Sequence, residues 1–278
     1  MASTVTHVIF DMDGLLLDTE IFYGIAQDAV FEEFPDCEYQ QRKLELKAMM
    51  MVRSLIHTAA SRSATEPAHA PPFPRSLVVF LSNPRRSQPV CLSRRALEQG
   101  RKSADAARLV LSELGLSDEM NPEDFLERRA KVLRDLLPQA ELMPGAKRLL
   151  EHLRDNKVPC SLATSSNRVH FKLKTTNHIE LFESVFSHML TGDDVVNGKP
   201  HPEIFLKALS QFENPPGPEK ALIFEDSPLG VEGAIAGGFK AIWVPDPEMS
   251  AGKPLKPPHQ TLKSLMDFDP AEWGLPPY

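Results

Sequence analysis

Two acidic residues near the start of the chain stand two positions apart, directly after an apolar run. Asp11 and Asp13 follow Val8-Ile9-Phe10, and Gly14 comes next. Side chains alternate along a strand, so the two carboxylates would point to the same side of a sheet. Two carboxylates held that close repel each other unless a cation lies between them or one is protonated. The spacing predicts a site that binds Mg²⁺ and attacks a phosphate.

The two carboxylates can divide the work of a phosphoryl transfer. Asp11, as nucleophile, would form an aspartyl-phosphate and so replace one difficult displacement with two easier ones. Asp13 would protonate the leaving alkoxide and then accept a proton from the hydrolytic water. Gly14 would let the backbone turn sharply beside the phosphate.

Two further polar sites follow, each at the end of a predicted strand. The Thr164 hydroxyl, with the backbone N–H groups of Ser165 and Ser166, would hold phosphoryl oxygens at a helix N-terminus. Lys199 lies in a Gly-Lys-Pro loop. Its compact ammonium could neutralise both the phosphate and the Asp11 carboxylate.

The last site follows the apolar run Leu222-Ile223-Phe224. Burying an acidic pair such as Glu225-Asp226 is unfavourable in free energy unless a cation or a network of hydrogen-bond donors compensates its charge. Mg²⁺ takes few protein oxygens and leaves positions for water and substrate. We expect its ligands to be the Asp11 and Asp226 carboxylates and the Asp13 backbone carbonyl. Glu225 would not bind the ion itself but would contact the residues that do and hold them in place.

An α/β fold with a Rossmann-like, doubly wound parallel sheet would bring these sites together. Strands that alternate with helices form right-handed crossovers, and such sheets bind ligands outside the carboxyl ends of their strands. Apolar and β-branched runs predict strands at 5–10, 158–163, 184–190, 221–224 and 240–244. Helical patterns lie between them at 146–155, 168–177, 202–212 and 229–236.

A long helical insertion separates the first two predicted strands. We expect a core made of residues 1–17 and 143–278 and an α-helical cap over 18–142, with helices at 20–33, 100–114 and 122–136. Residues 52–99 interrupt this cap and contain six prolines, seven arginines and neither glycine nor lysine. No helical period persists there, so we predict a disordered insertion.

Composition and charge argue against several classes of function. The chain has 278 residues, 42% of them hydrophobic, which is ordinary for a globular protein with a sizeable core. The net charge of −7 argues against nucleic-acid binding. The apolar runs are too short to cross a bilayer, the first residues lack the pattern of a signal peptide, and the three cysteines are widely separated. We expect a cytoplasmic monomer without membrane or nucleic-acid partners.

The ordered set of motifs resembles the haloacid dehalogenase-like superfamily of phosphotransferases. The resemblance covers residues 5–51 and 100–278. Its motifs are DMDGLLLDT from Asp11, ATSS from Ala163, GKP from Gly198 and FEDSPLGV from Phe224. It implies a Rossmann-like core, a helical cap inserted after the first motif, and Mg²⁺-dependent catalysis through an aspartyl-phosphate. Family members that act as dehalogenases lack an acid at the place of Asp13, so this chain resembles the phosphatases and phosphomutases.

A closer likeness is to the pseudouridine-5′-phosphatase group, which includes plant sugar-alcohol phosphatases and FMN hydrolases. It rests on LMPGA from Leu142, FSH from Phe186, TGDD from Thr191 and the tail EWGLPPY from Glu272. It implies an Mg²⁺-dependent phosphatase whose substrate is a small phosphorylated metabolite: a nucleotide or pseudouridine 5′-phosphate, a sugar or polyol phosphate, or FMN.

Two alternatives to a phosphatase stay open. One is a β-phosphoglucomutase-type phosphomutase, in which the phosphoryl group passes from the aspartate to a second sugar hydroxyl. The other is an inactive protein or gene model whose cap is disrupted by residues 52–99, a retained intron or a late insertion.

Overall fold

One parallel sheet organises the part of the chain that the structure describes. The structure, a computed structural model, describes residues 4–32, 103–113, 115–245 and 253–278. Within them the strand order is β3-β2-β1-β4-β5-β6, and neighbouring strands are parallel. The strands are β1 (His7–Phe10), β2 (Cys160–Ala163), β3 (Phe186–Leu190), β4 (Ala221–Glu225), β5 (Lys240–Trp243) and β6 (Gln260–Thr261). The predicted parallel α/β sheet is confirmed.

Helices connect these strands in sequence. They are α1 (Glu20–Phe31), α2 (Ser103–Glu113), α3 (Pro122–Leu136), α4 (Ala146–Asp155), α5 (Arg168–Lys174), α6 (Ile179–Val185), α7 (Glu203–Ser210) and α8 (Pro228–Ala236). In the described residues no helix combines the length and the apolar character needed to cross a membrane.

The sequence prediction was wrong about α6. It placed residues 184 and 185 in a strand, but they end this helix. Phe182 is fully buried in α6, its ring lies edge-on to that of Phe186 at 5.4 Å, and its carbonyl accepts the Phe186 N–H. Packing of the helix against the core therefore determines where the strand begins.

Side-chain caps fix the start of two helices that follow strands, α5 and α8. The Asn167 side chain accepts the His170 N–H at 2.8 Å ahead of α5. The Ser227 hydroxyl accepts the Gly230 N–H at 3.0 Å ahead of α8. Each cap satisfies an N–H group that the helix itself cannot pair. Short loops therefore remain between strand end and helix start, and these loops carry the polar residues of interest.

The apolar side chains of the central strands divide between two faces of the sheet. Val8 and Phe10 belong to one buried cluster and Ile9 to the other, as alternation along β1 requires. Phe10 pairs with Phe224, and the Asp11 N–H then donates to the Phe224 carbonyl at 3.0 Å. The sheet register thus holds the backbone of Asp11 directly at the carboxyl end of β1.

Residues at the two ends of the predicted cap lie next to each other. Leu17 forms an antiparallel bridge with Leu142, and the Asp18 N–H donates to the Glu141 carbonyl at 2.9 Å. Helices α1, α2 and α3 share a separate apolar cluster that includes Phe31. The division into core and cap stays a prediction, and residues 52–99 lie outside the described residues.

Gly145 makes a close approach that a side chain would block. Its φ is 89°, and a Cβ there would lie 2.6 Å from the Met266 nitrogen. We expect Gly145→Ala to lower the free energy of unfolding by more than the roughly 1–3 kcal/mol of backbone strain alone, because the clash adds to it. Gly115→Ala is the matched control, since its φ is 67° and nothing lies within 4 Å of an added Cβ. Equal losses in urea unfolding of the two variants would contradict this.

Candidate active site

The first and fourth predicted sites meet at the carboxyl ends of β1 and β4. Asp11, Glu225 and Asp226 are buried, and each offers a carboxylate oxygen within 4.8 Å of the others. This closeness follows from the pairing of β1 with β4, because parallel neighbours end at the same edge of a sheet. The carboxylates of Asp11 and Asp226 are therefore close enough to share one metal ion, as their predicted role requires.

Lys199 lies inside this acidic cluster. Its Nζ is 2.5 Å from Asp11 Oδ1 and 2.5 Å from Glu225 Oε1, and it also donates to the Ala163 carbonyl at 3.2 Å. Burial would lower the pKa of Lys199, but the two carboxylates outweigh burial and raise it. The ammonium is therefore charged.

The charges and donor atoms of the cluster fit a hard divalent cation. Among the described residues, the cluster contains three carboxylates, and the Lys199 ammonium pairs with two of them, Asp11 and Glu225. With all three carboxylates ionised, this buried group would carry two negative charges. Burial raises the pKa of Asp11 to about 7, with Lys199 opposing this and Glu225 adding to it. A cation would favour the ionised form of Asp11. Oxygen-only ligands suit Mg²⁺.

Both carboxylate oxygens of Glu225 already have partners. Oε1 accepts from Lys199, and Oε2 accepts from the backbone N–H and the hydroxyl of Ser227, both at 2.9 Å. Gly230, in the first turn of α8, leaves the space that this carboxylate occupies. The arrangement suits the predicted role of Glu225 behind the metal ligands, which stays a prediction.

Asp13 is surrounded by hydrogen-bond donors. Its Oδ1 accepts from the Thr19 hydroxyl at 2.7 Å and from the Lys174 ammonium at 2.5 Å. Its Oδ2 accepts from the hydroxyls of Thr164 at 3.1 Å and Ser166 at 2.8 Å. Burial acts to raise the pKa of Asp13, but Lys174 and these hydrogen bonds outweigh it, so the pKa is lowered. The lowered pKa favours the ionised form, and the hydrogen bonds fix the orientation of the carboxylate.

The loop after β2 differs from the prediction in one respect. Thr164 does not open a helix, because α5 begins only at Arg168 after the Asn167 cap. The Thr164 hydroxyl instead accepts the Ser166 N–H at 3.0 Å and donates to Asp13. The phosphate-binding roles of Thr164 and Ser165 stay predictions.

Gly14 makes the predicted sharp turn. Its φ is 74°, in the left-handed region that favours glycine, and its N–H donates to the Leu17 carbonyl at 2.9 Å. The turn directs the chain from the D-x-D pair towards the bridge between Leu17 and Leu142.

Three residues near Asp13 were not predicted from the sequence to belong to the site: Thr19, Tyr23 and Lys174. Lys174 lies one helical turn beyond His170 and Phe171, and this spacing places it on the inward face of α5, whereas Lys172 is exposed. The signal available in the sequence was that Lys174 follows the aromatic residue Phe171 at helical spacing, which places both on one face. A lysine in a short helix ordinarily faces water, so this signal alone did not predict burial.

His170 provides a pH-dependent test of this region. Burial, with help from the charges of Lys174 and Arg129, lowers the pKa of His170 to about 4. The unfolded chain, with an ordinary pKa near 6.5, then binds more protons between these values. We expect stability to fall as pH drops from about 6.5 towards 4. Urea unfolding across this interval should show a smaller loss in His170→Gln than in the wild type, and equal losses would contradict this.

Comparison with known proteins identifies the family. A family model described as haloacid dehalogenase-like hydrolase matches residues 5–238. The chain belongs to the haloacid dehalogenase-like hydrolases. (DL)-glycerol-3-phosphatase 2 of Arabidopsis thaliana is 38% identical over 280 residues, which cover 99% of this chain and 93% of that protein. The probable pseudouridine-5′-phosphatase of Drosophila melanogaster is 36% identical over 277 residues, covering 99% and 96%.

A solved structure supports the fold of this hydrolase. CbbY from Rhodobacter sphaeroides, in complex with phosphate, matches with a TM-score of 0.60 and 17% identity over 95% of this chain and 96% of that chain. The predicted family and its closer phosphatase group are confirmed, and the chain is a hydrolase of phosphoric monoesters. The predicted cytoplasmic location, monomeric state and absence of nucleic-acid partners stay predictions.

Proposed function

We propose that this hydrolase is an Mg²⁺-dependent phosphatase that cleaves a small phosphomonoester through an aspartyl-phosphate on Asp11. The observation that carries the proposal is the buried cluster of Asp11, Glu225 and Asp226, in which the Lys199 ammonium pairs with Asp11 and Glu225. Its remaining negative charge calls for a divalent cation, and its nucleophile lies at a strand end where a phosphate can approach.

The proposed reaction divides its steps among the residues of the cluster. Mg²⁺, held by the carboxylates of Asp11 and Asp226 and the backbone carbonyl of Asp13, would withdraw charge from the phosphate and orient it. Lys199 holds Asp11 Oδ1 and so fixes the rotation of the nucleophilic carboxylate. In the proposed first step Asp13 takes up a proton from water, against the lowered pKa of the free site. An Asp11 oxygen then attacks phosphorus, and the bond to the alkoxide breaks as Asp13 passes that proton to the alkoxide.

The second half of the reaction regenerates the enzyme. Asp13, now ionised, takes a proton from a water molecule that attacks the aspartyl-phosphate. The phosphorus–Asp11 bond breaks, Asp11 leaves as a carboxylate, and inorganic phosphate is released. The hydroxyl of Thr164 and the backbone N–H of Ser165 would steady the phosphoryl oxygens, as Lys199 would by its charge.

The substrate class follows from the relatives. Their names specify a glycerol 3-phosphate and a pseudouridine 5′-phosphate, both monoesters of a small alcohol. We therefore infer a monophosphate ester of a polyol or a nucleoside for this chain, with sugar phosphates and FMN as further candidates.

A screen of phosphate release tests the proposal. Glycerol 3-phosphate, pseudouridine 5′-phosphate, FMN and hexose phosphates are offered with Mg²⁺ and, in parallel, with EDTA. Mg²⁺-dependent release from at least one small monoester is the expected result. Isomerisation of a hexose 1-phosphate without phosphate release would favour the phosphomutase. A folded protein that acts on none of these esters would favour the inactive alternative.

A further inference from the structure

Lys174 is a buried cation that the four motifs do not explain. Among the described residues, it and Lys199 are the two buried lysines. Only 1% of the Lys174 side chain is exposed, and it approaches the Tyr23 ring at 4.8 Å from the centroid. Removing an ammonium from water is unfavourable unless close partners offset the lost hydration, so the partners of Lys174 indicate its role.

The three protons of the Lys174 ammonium have three partners. They are Asp13 Oδ1 at 2.5 Å, Ser166 Oγ at 2.6 Å and the side chain of Tyr23. An ammonium has three donors and no acceptor. In this arrangement the donors are committed to protein atoms, which disfavours direct phosphate binding by Lys174.

The contact between Lys174 and Ser166 restrains Asp13 a second time, through the Ser166 hydroxyl. A serine hydroxyl has a single proton, and Lys174 donates to its oxygen. Ser166 then directs its own proton to Asp13 Oδ2 at 2.8 Å. Lys174 therefore fixes Asp13 twice, at Oδ1 directly and at Oδ2 through Ser166, and so restricts rotation of the carboxylate.

We propose that Lys174 is a positioning residue that orients Asp13 for proton transfer to the leaving alkoxide. The inference rests on the proposed function, because it assigns Lys174 to the residue that would act as acid and base there. It gives each of the two reacting carboxylates its own buried lysine, with Lys199 on Asp11 and Lys174 on Asp13. A lysine that served folding alone would not affect one leaving group more than another.

Leaving groups that differ in their need for a proton test this role. Glycerol 3-phosphate releases a strongly basic alkoxide, whereas p-nitrophenyl phosphate releases a stable phenolate without help. The ratio kcat/KM reports the steps up to release of the alcohol and not the later hydrolysis of the aspartyl-phosphate. We expect Lys174→Met to lower kcat/KM for glycerol 3-phosphate by roughly 10²-fold, the low end of general-acid effects, and for p-nitrophenyl phosphate by less than about tenfold.

A double-mutant cycle separates positioning from a structural role. In an Asp13→Asn background, Lys174→Met is expected to cause no further loss on p-nitrophenyl phosphate, because Lys174 acts through Asp13. The double variant also removes the buried charge pair, so it keeps the test available if the single variant fails to fold. Lys172→Met, an exposed lysine on the same helix, is the control and should match the wild type.

Each other outcome has a definite meaning. Equal losses on both esters, multiplying losses in the cycle, or a gain on glycerol 3-phosphate would overturn the inference and leave the proposed function intact. A folded wild type that releases phosphate from none of the esters in the screen would overturn the proposed function, and this inference with it. If the wild type cleaves another alkyl ester of the screen instead of glycerol 3-phosphate, that ester takes its place in the comparison.

Discussion

Asp11→Asn is expected to reduce phosphate release at least roughly 10⁴-fold while the protein keeps its fold. An amide is a poor nucleophile and cannot form the aspartyl-phosphate. The fold should persist because asparagine has the same shape, and Lys199 keeps its ion pair with Glu225 at 2.5 Å. The measurement is phosphate release in single turnover, together with the thermal unfolding midpoint.

A matched control separates the loss of the nucleophile from a general effect of changing an aspartate in this motif. Asp18→Asn makes the same chemical change seven positions further along, at an exposed side chain of the same motif. It should retain wild-type activity. Appreciable turnover in Asp11→Asn would mean that another residue attacks phosphorus.

Removal of the divalent ion should also abolish activity. EDTA is expected to reduce phosphate release to background, and Mg²⁺ should restore it, because the buried carboxylates otherwise repel the phosphate. Asp226→Asn should weaken the apparent affinity for Mg²⁺ by at least roughly 10²-fold, since it removes a charged ligand.

Thermal unfolding gives a readout independent of turnover. A ligand that binds the folded state alone raises the unfolding midpoint. Mg²⁺ should therefore stabilise the wild type through Asp11 and Asp226, and stabilise Asp226→Asn much less. Full activity in EDTA, or an equal stabilisation of both proteins by Mg²⁺, would count against a metal site in this cluster.

The strand-end sites were predictable because the pattern that marks them is local. Apolar runs end abruptly in polar residues at Asp11 and Glu225, and parallel strands of one sheet end at one edge. The register that pairs Phe10 with Phe224 then brings the carboxylates together. The apolar runs and the alternation of strands with helices were enough to predict this part of the site, although the strand order itself was not predicted.

The surroundings of Asp13 were not predictable in the same way. Thr19 comes from the exit of the D-x-D loop, Ser166 from the loop after β2 and Lys174 from the middle of the chain. Lys172 and Lys174 look alike in sequence, and only the packing of α5 buries one of them. Similarly, β6 has two residues, Gln260–Thr261, which is too short for a periodic signal.

The position of β1 in the middle of the sheet has a consequence for biosynthesis. Its neighbours are β2 and β4, so Val8 pairs with Cys160 on one side and Leu222 on the other. At ribosomal speeds of about 5–20 residues per second, the emerging strand waits roughly 10–40 s for its second neighbour. During that time an apolar segment is exposed on the nascent chain. Premature termination upstream of β4 would leave it without that partner, so truncated chains should depend on chaperones far more than the full-length chain.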